Sequence, residues 1–518
     1  MHLILSVFGI FLRVVDFVLT PFLIIYCGTK RRKPFPQIRN EILLLSAVDL
    51  AERIRNKELR SEDVVRAYID RIKEVNPLIN AVVEERFSDA IQDARNADNL
   101  VNSMPTIALL KTYPLLGVPF TVKESCSLKG SLYTGGSLPR VGMRAAKDGD
   151  AVANLRGAGC IPLLVSNTPE FCMSWESYNH VTGRTLNPYD NRRTAGGSSG
   201  GEGALISSAG SIFGVGSDLA GSIRVPALFN GIFGHKPTGG VIPLNGHFPN
   251  CPDENFQQYL TIGPMCRYAK DLSTLMHVMS GSNASKLKLD EIVYTKDIKI
   301  FYAEDIGFSL SSVPVDDEIK ISILQAVKYF RKHGLPVDRV DFPHIQESLQ
   351  IALSLMFAVE DIPDLLIDQD DPKKRHNVLV ELAKCPIGKS KFSLGGLFFQ
   401  FLEANRHVLA NDIEKYKKMG EDLRKNIMET LGSNGVFFFP SYPVPATRHY
   451  ETFLEISGVQ YSMIFNVLGF PSTHVPMGFD RNGLPIGFQI VATPYQDRLC
   501  FCLARELEAA FGGWKAPN

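Results

Sequence analysis

The chain has 518 residues, enough to bury a large core, and length alone admits two or three domains. It is 45% hydrophobic and 21% charged, the composition of an ordinary globular protein, and its zero formal net charge gives no sign of a nucleic-acid partner, which would usually need a basic face. Nine cysteines, an odd number scattered through so long a chain, are not a disulfide scaffold and read as core thiols.

The N-terminus stands apart. Residues 3–26, "LILSVFGIFLRVVDFVLTPFLIIY", match the ~20 residues a helix needs to cross a bilayer core. "KRRK" (Lys30–Lys33) follows, a basic flank of the kind found on the cytoplasmic side. Arg13 and Asp16 interrupt the apolar run, but at i,i+3 they can pair on one helical face. The segment reads as a single-pass membrane anchor over 1–28. Two rivals stand beside this: an interfacial helix, and a cleaved signal peptide, although no charged n-region or A-x-A-like site is present.

A Pro-containing joint over 29–39 (Pro34, Pro36) leads into the rest of the chain. "SAVDLAERIR" opens on Ser46 and "SEDVVRAYIDRIKEVN" on Ser61, each with apolar residues at helical spacing. "GVPFTVKE" (117–124) reads as a strand end, and "AVANLRGAG" followed by "CIPLLVSN" as helix, glycine stop and buried strand. Near the C-terminus "GVFFFPS", "LPIGFQIVA" and "QDRLCFCLARELEAAF" predict strand, strand and helix. This alternation predicts a layered α/β protein, a mixed β-sheet core covered by helices. No clear linker divides 40–518, which reads as one large domain. The apolar segment 385–402, flanked by Lys389 and Lys391, reads either as a lip that dips into a bilayer or as a buried core helix.

Chemistry concentrates in residues 196–227, "GGSSGGEGALISSAGSIFGVGSDLAGSIRVPA", rich in Gly and Ser and without histidine. A solvated linker would not interleave Leu205, Ile206, Ile212, Phe213 and Val215. Gly and Ser in a buried frame instead suit tight turns, close backbone approach and hydroxyls placed for reaction. A serine hydrolase needs a nucleophile, a base and backbone N–H groups aimed at the oxyanion. "DLAGSIR" supplies a serine after small residues on one tight turn, "GGSSGGEG" a second hydroxyl, and "FTVKES" Lys123 at an apolar strand end, where desolvation favours the neutral amine. No P-loop, H-E-x-x-H or Cys/His cluster is present, so neither a nucleotide cofactor nor a metal is implied.

Lys123, Ser198 within Gly197–Gly201, and Ser222 within "GSDLAGSIR" (216–224) together resemble the amidase signature family. The likeness runs from about residue 40 to the end and includes "NPYD" (187–190) and "GHKPT" (234–238). Within the family, the N-terminal anchor and "TIGPMCRYAKDL" look most like the fatty-acid amide hydrolase branch, its second vertebrate-type group in particular. The resemblance implies Ser222 as nucleophile, Ser198 as a bridging serine preceded by a cis peptide, and Lys123 as base. It also implies the backbone N–H groups of Leu219, Ala220, Gly221 and Ser222 as oxyanion donors, and contacts from Cys172 and Ser174 in "FCMSWES" to the acyl chain. The implied substrates are lipid amides, primary amides and N-acylethanolamines, cleaved at an endomembrane through an acyl-enzyme without a cofactor. A homodimer stays open.

An ordinary lysine has a pKa of about 10.4, so a base working near pH 7 must be held neutral at a cost of about 4 kcal/mol, within what burial imposes. Lys123 must then be buried and without an ionised carboxylate partner; Glu124, next in a strand, points to the opposite face. Ala220 stands where the family commonly has Gly, which keeps the N–H but would be strained at positive φ. Asp218 and Arg224 read as hydrogen-bonded loop supports, and Ser199 likewise. Gly197-x-Ser199-x-Gly201 also fits a nucleophile elbow, for which His474 could be drafted as base. Other readings are an amidase or esterase of short or aryl amides, an ammonia-supplying amidase subunit, and an inactive membrane scaffold.

Overall fold

The computed structural model describes residues 2–29, 31–368, 371, 373–406 and 412–518, with side chains from residue 6 onward. Lys30, the first residue of the basic flank, lies outside them.

One eleven-stranded sheet runs through the molecule. Its strands are β1 (Val82–Glu85), β2 (Pro119–Lys123), β3 (Ile161–Ser166), β6 (Phe213–Asp218), β7 (Phe233–Lys236), β8 (Thr261–Cys266), β9 (Lys299–Tyr302), β10 (Val337–Arg339), β11 (Gly435–Phe439), β12 (Ser472–Phe479) and β13 (Pro485–Ala492). A separate two-residue hairpin comprises β4 (Tyr178–Asn179) and β5 (Gly183–Arg184). The spatial order of the large sheet is β1-β3-β2-β6-β8-β7-β12-β13-β11-β9-β10. β2 pairs in parallel with β3 and β6, and β9 with β10 and β11, while the other pairs are antiparallel. Strands such as "IPLLVS" and "GVFFF" are buried at every residue, because helices cover both faces and leave no polar side to alternate with. The protein is a single α/β domain with a mixed sheet under helices, as its periodicity predicts.

Local signals mostly place the helices. Ser46 caps Ala47–Arg55, its Oγ accepting from Asp49 N at 3.1 Å. Ser61 does not cap the next helix, Ser61–Ile79. The Asp98 carboxylate accepts from the N–H groups of Ser61 and Glu62, while the Ser61 hydroxyl donates to Gly117 O at 2.9 Å. A distant carboxylate thus does what the local serine was expected to do.

Helix α1 (His2–Gly28) is long and apolar enough to cross a membrane. Gly9 and Cys27 are buried, and Leu12, Arg13, Asp16 and Leu23 are half-covered, which marks one helical stripe turned towards the domain. A side chain at Gly9 would collide with Ser311, so glycine permits this close approach. Arg13 and Asp16 pair at 3.7 Å, as their spacing predicts. Phe11, Val14, Phe17, Val18, Phe22 and Ile25 are exposed on the outer face.

The segment 385–402 forms neither a free lip nor a wholly buried helix. Phe392 and Leu397 join a small satellite core with Phe171, Leu365 and Leu366, while Ile387 is 65% exposed. Its helix, Leu394–Ala404, places Phe398 and Phe399 along an internal cavity.

Candidate active site

β2 and β6 run in parallel, so their C-terminal ends lie at the same edge of the sheet and open into the crevice beyond it. Lys123 closes β2 and is fully buried. Its Nζ lies 2.6 Å from Ser198 Oγ and 2.9 Å from Ser217 Oγ, and no ion pair includes it among the described residues. Ser198 follows a cis Gly197–Ser198 peptide and precedes the helix Gly200–Ser207. Glu124 points away, as alternation requires, and accepts from the N–H groups of Thr134 and Gly135.

Ser222 sits on the turn between β6 and the helix Arg224–Asn230. The turn is tied from within: the Asp218 carboxylate accepts from Gly221 N at 2.7 Å, Ile223 N at 3.0 Å, and Arg224 Nε and Nη2 at 3.0 Å each. Burial alone would raise the Asp218 pKa, but the Arg224 guanidinium and the backbone donors hold it well below the ordinary carboxylate range. The pair is structural, as its sequence suggests. Positive φ falls on Gly221 (φ 96) and not on Ala220, so the alanine is unstrained. A Cβ at Gly221 would also meet Ser462 Cβ at 2.8 Å.

The backbone N–H groups expected to face an oxyanion differ in their present partners. Gly221 N–H donates to the Asp218 carboxylate at 2.7 Å. The N–H groups of Leu219, Ala220 and Ser222 have no acceptor among the described residues. Trp175 Nε1 donates to Ala220 O at 2.8 Å and steadies the turn from the other side. No hydrogen bond joins Ser222 to Ser198 among the described residues; such contacts commonly tighten only around substrate.

Ser198, Ser217 and Ser222 line a cavity of about 770 Å³, as do Cys172 and Ser174. Leu353, Met356, Phe399 and Met463 give it apolar walls, and Phe8 and Leu12 of α1 also line it. Ser199 supports the loop: its Oγ lies 3.3 Å from Ser217 O, and its N–H donates to Ser222 O at 3.1 Å. His474 is buried and paired with Ser441 Oγ at 2.7 Å, not with Ser199, so the nucleophile-elbow alternative lacks its base.

Two buried residues at the site escape the sequence reading. Glu202 hydrogen-bonds Thr121 Oγ1 at 2.5 Å near Lys123; burial above all pushes its carboxyl up to about 7, against those hydroxyl contacts and the lysine. It is one helical turn past Ser198, an acidic residue in an otherwise small and apolar helix, which is the signal that marks it. His247 lies outside the Gly/Ser stretch, and its Nε2 sits 2.8 Å from Ser217 Oγ. Nothing in "LNGHFP" marks that histidine out.

Residues 63–501 match the family model described as Amidase. Over 497 residues the chain is 41% identical to fatty-acid amide hydrolase 2-B of Danio rerio, covering 95% of this chain and 94% of that one. Fatty-acid amide hydrolase 2 of Homo sapiens is 40% identical over 491 residues, covering 93% and 92%. A solved structure titled fatty acid amide hydrolase shares the fold with a TM-score of 0.72 at 21% identity, covering 91% of this chain and 86% of that one. The chain therefore belongs to the amidase family and is an amide hydrolase.

Proposed function

We propose that the protein hydrolyses fatty-acid amides, primary amides and N-acylethanolamines, through an acyl-enzyme on Ser222. The observation that carries this reading is the buried Lys123 amine, 2.6 Å from Ser198 Oγ and outside every described ion pair, beside an apolar cavity that Ser222 also lines. Lys123 takes the Ser198 hydroxyl proton as Ser198 takes that of Ser222. Ser222 Oγ attacks the amide carbonyl, and the oxygen that gains charge is met by the N–H groups of Leu219, Ala220 and Ser222. The proton returns through Ser198 to the leaving nitrogen, the C–N bond breaks, and water activated by the same relay then releases the acid.

The cavity suits the acyl chain, with Cys172 and Ser174 close to its reacting end. About 0.8 kcal/mol per buried CH₂ makes affinity rise with chain length in such a site. The segment 1–28, which contains helix α1, is the membrane anchor, with the exposed Phe and Val face of the helix in lipid. The joint 29–39 and the catalytic domain 40–518 follow it.

The test is hydrolysis of primary amides and ethanolamides of increasing acyl length by membranes bearing the protein, with Ser222→Ala membranes as blank. Rates that rise with chain length and vanish in the blank support the reading. Ser222-dependent rates confined to short or aryl amides would overturn the lipid assignment and leave the relay intact.

A further inference from the structure

We propose that His247 is a positioning residue that aims the Lys123 lone pair at Ser198, acting through Ser217. The inference rests on the reading of Lys123 as base. It starts from a requirement of that role: a neutral amine has two N–H donors and one lone pair, and only the lone pair can take the Ser198 proton. Nζ lies within hydrogen-bond distance of two hydroxyls, Ser198 at 2.6 Å and Ser217 at 2.9 Å. A hydroxyl can donate or accept, so the distances alone leave open which serine receives the lone pair.

His247 settles the direction. Its Nδ1 lies 2.8 Å from Pro249 O, a carbonyl that only accepts, so Nδ1 carries the hydrogen. Burial above all brings its pKa well below the ordinary histidine value, so the ring is neutral and Nε2 presents a lone pair. Nε2 sits 2.8 Å from Ser217 Oγ and 3.4 Å from Ser125 Oγ. Ser217 therefore gives its hydrogen to His247 and faces Lys123 as an acceptor. An N–H of Lys123 is thereby committed to Ser217, and the lone pair is left for Ser198. Without His247 the Ser217 hydroxyl is free to rotate and donate to Nζ, which caps the base. The titratable groups acting on this centre are Lys123 and His247 themselves, the Glu202 carboxyl and the Cys126 thiol. His247 takes no proton in the reaction.

The experiment compares His247→Leu, His247→Gln, Ser217→Ala and the double variant His247→Leu/Ser217→Ala in membranes, with kcat and KM followed across pH. Lys123→Ala is the reference. His247→Leu is expected to lower plateau kcat roughly 10–100-fold, the scale of one misdirected hydrogen bond, with KM unchanged. His247→Gln, whose amide oxygen can still accept from Ser217, should keep most of the rate. The double variant should be several-fold faster than His247→Leu alone, since the offending hydroxyl is gone; a merely structural role predicts no such rescue. Parental kcat in His247→Leu, or a loss that Ser217→Ala deepens, overturns the proposal. If Lys123→Ala is inactive while His247→Leu is fully active, this inference alone falls. If Lys123→Ala retains activity, the base assignment falls and takes this inference with it.

Discussion

The hydroxyl centre and the cavity beside it are assembled differently. Lys123 and Ser217 come from the adjoining strands β2 and β6, Ser222 from the turn after β6 and Ser198 from the segment leading into the helix Gly200–Ser207, and Asp218 and Arg224 lock the Ser222 turn with several short hydrogen bonds. The cavity draws on α1, the helix Ser348–Phe357, the helix Leu394–Ala404 and the helix Gln460–Val467, which contribute mainly apolar surface and few directed bonds. Removing Lys123, Ser198 or Ser222 from the first region should remove a function that no neighbour can supply. Removing one side chain from the second should change shape and affinity by an increment. The contrast predicts steep, all-or-none losses for those three residues and graded, substrate-dependent ones along the cavity.

The largest effects belong to the relay. Ser222→Ala and Lys123→Ala should each lower kcat at least ~10³-fold at unchanged folding, and the double variant should be little worse than either single one, because the groups act as a unit. Additive losses measured by steady-state kinetics would break the picture of a single relay.

Stability of the turn comes next. Asp218→Asn leaves the fully buried Arg224 without its counter-charge and should destabilise the protein by about 3–5 kcal/mol, read as a drop in thermal midpoint. A drop no larger than that of a surface substitution would contradict the structural role of the pair.

Glu202 gives a pH-dependent effect. Its folded carboxyl titrates at about 7 against an ordinary 4.5, so as pH rises between these values the unfolded chain loses its proton first and stability is lost. Glu202→Gln removes that loss. The variant should therefore gain on the parent between pH 4.5 and 7, on the order of 3 kcal/mol in all. Parallel melting curves across that range would show that Glu202 does not titrate this way.

The cavity wall should give the smallest change. Phe399 packs on Trp175 with ring centroids 5.4 Å apart and lines the cavity. Phe399→Ala should raise KM for long-chain amides roughly 10-fold and leave short amides nearly untouched. An equal loss on both would mean that the wall shapes the reacting centre and not only the chain.

Legibility in the sequence follows the same division. The buried strands and the Ser46 cap are visible because contiguous residues determine them, whereas the Lys–Ser–Ser set is expected from its resemblance to the amidase signature family. Arg13 and Asp16 are also readable, as their spacing alone places them on one face. What escaped depends on distant partners. Asp98 displaces Ser61 as a helix cap, and Asp218 claims the Gly221 N–H. Leu394–Ala404 becomes a cavity wall only because a satellite core receives its other side. His247 gains its significance from Ser217 and Pro249, which no periodicity connects. Local pattern places the elements, and tertiary packing decides what each side chain faces.

The central claim, that Ser222 is the nucleophile of a lysine-driven relay, is tested most directly by a fluorophosphonate probe and peptide mapping by mass spectrometry. The account predicts one adduct, on the peptide carrying Ser222, with its rate of formation collapsing in Lys123→Ala. An adduct on Ser198 or Ser199 instead, or labelling of Ser222 at the parental rate without Lys123, would contradict it.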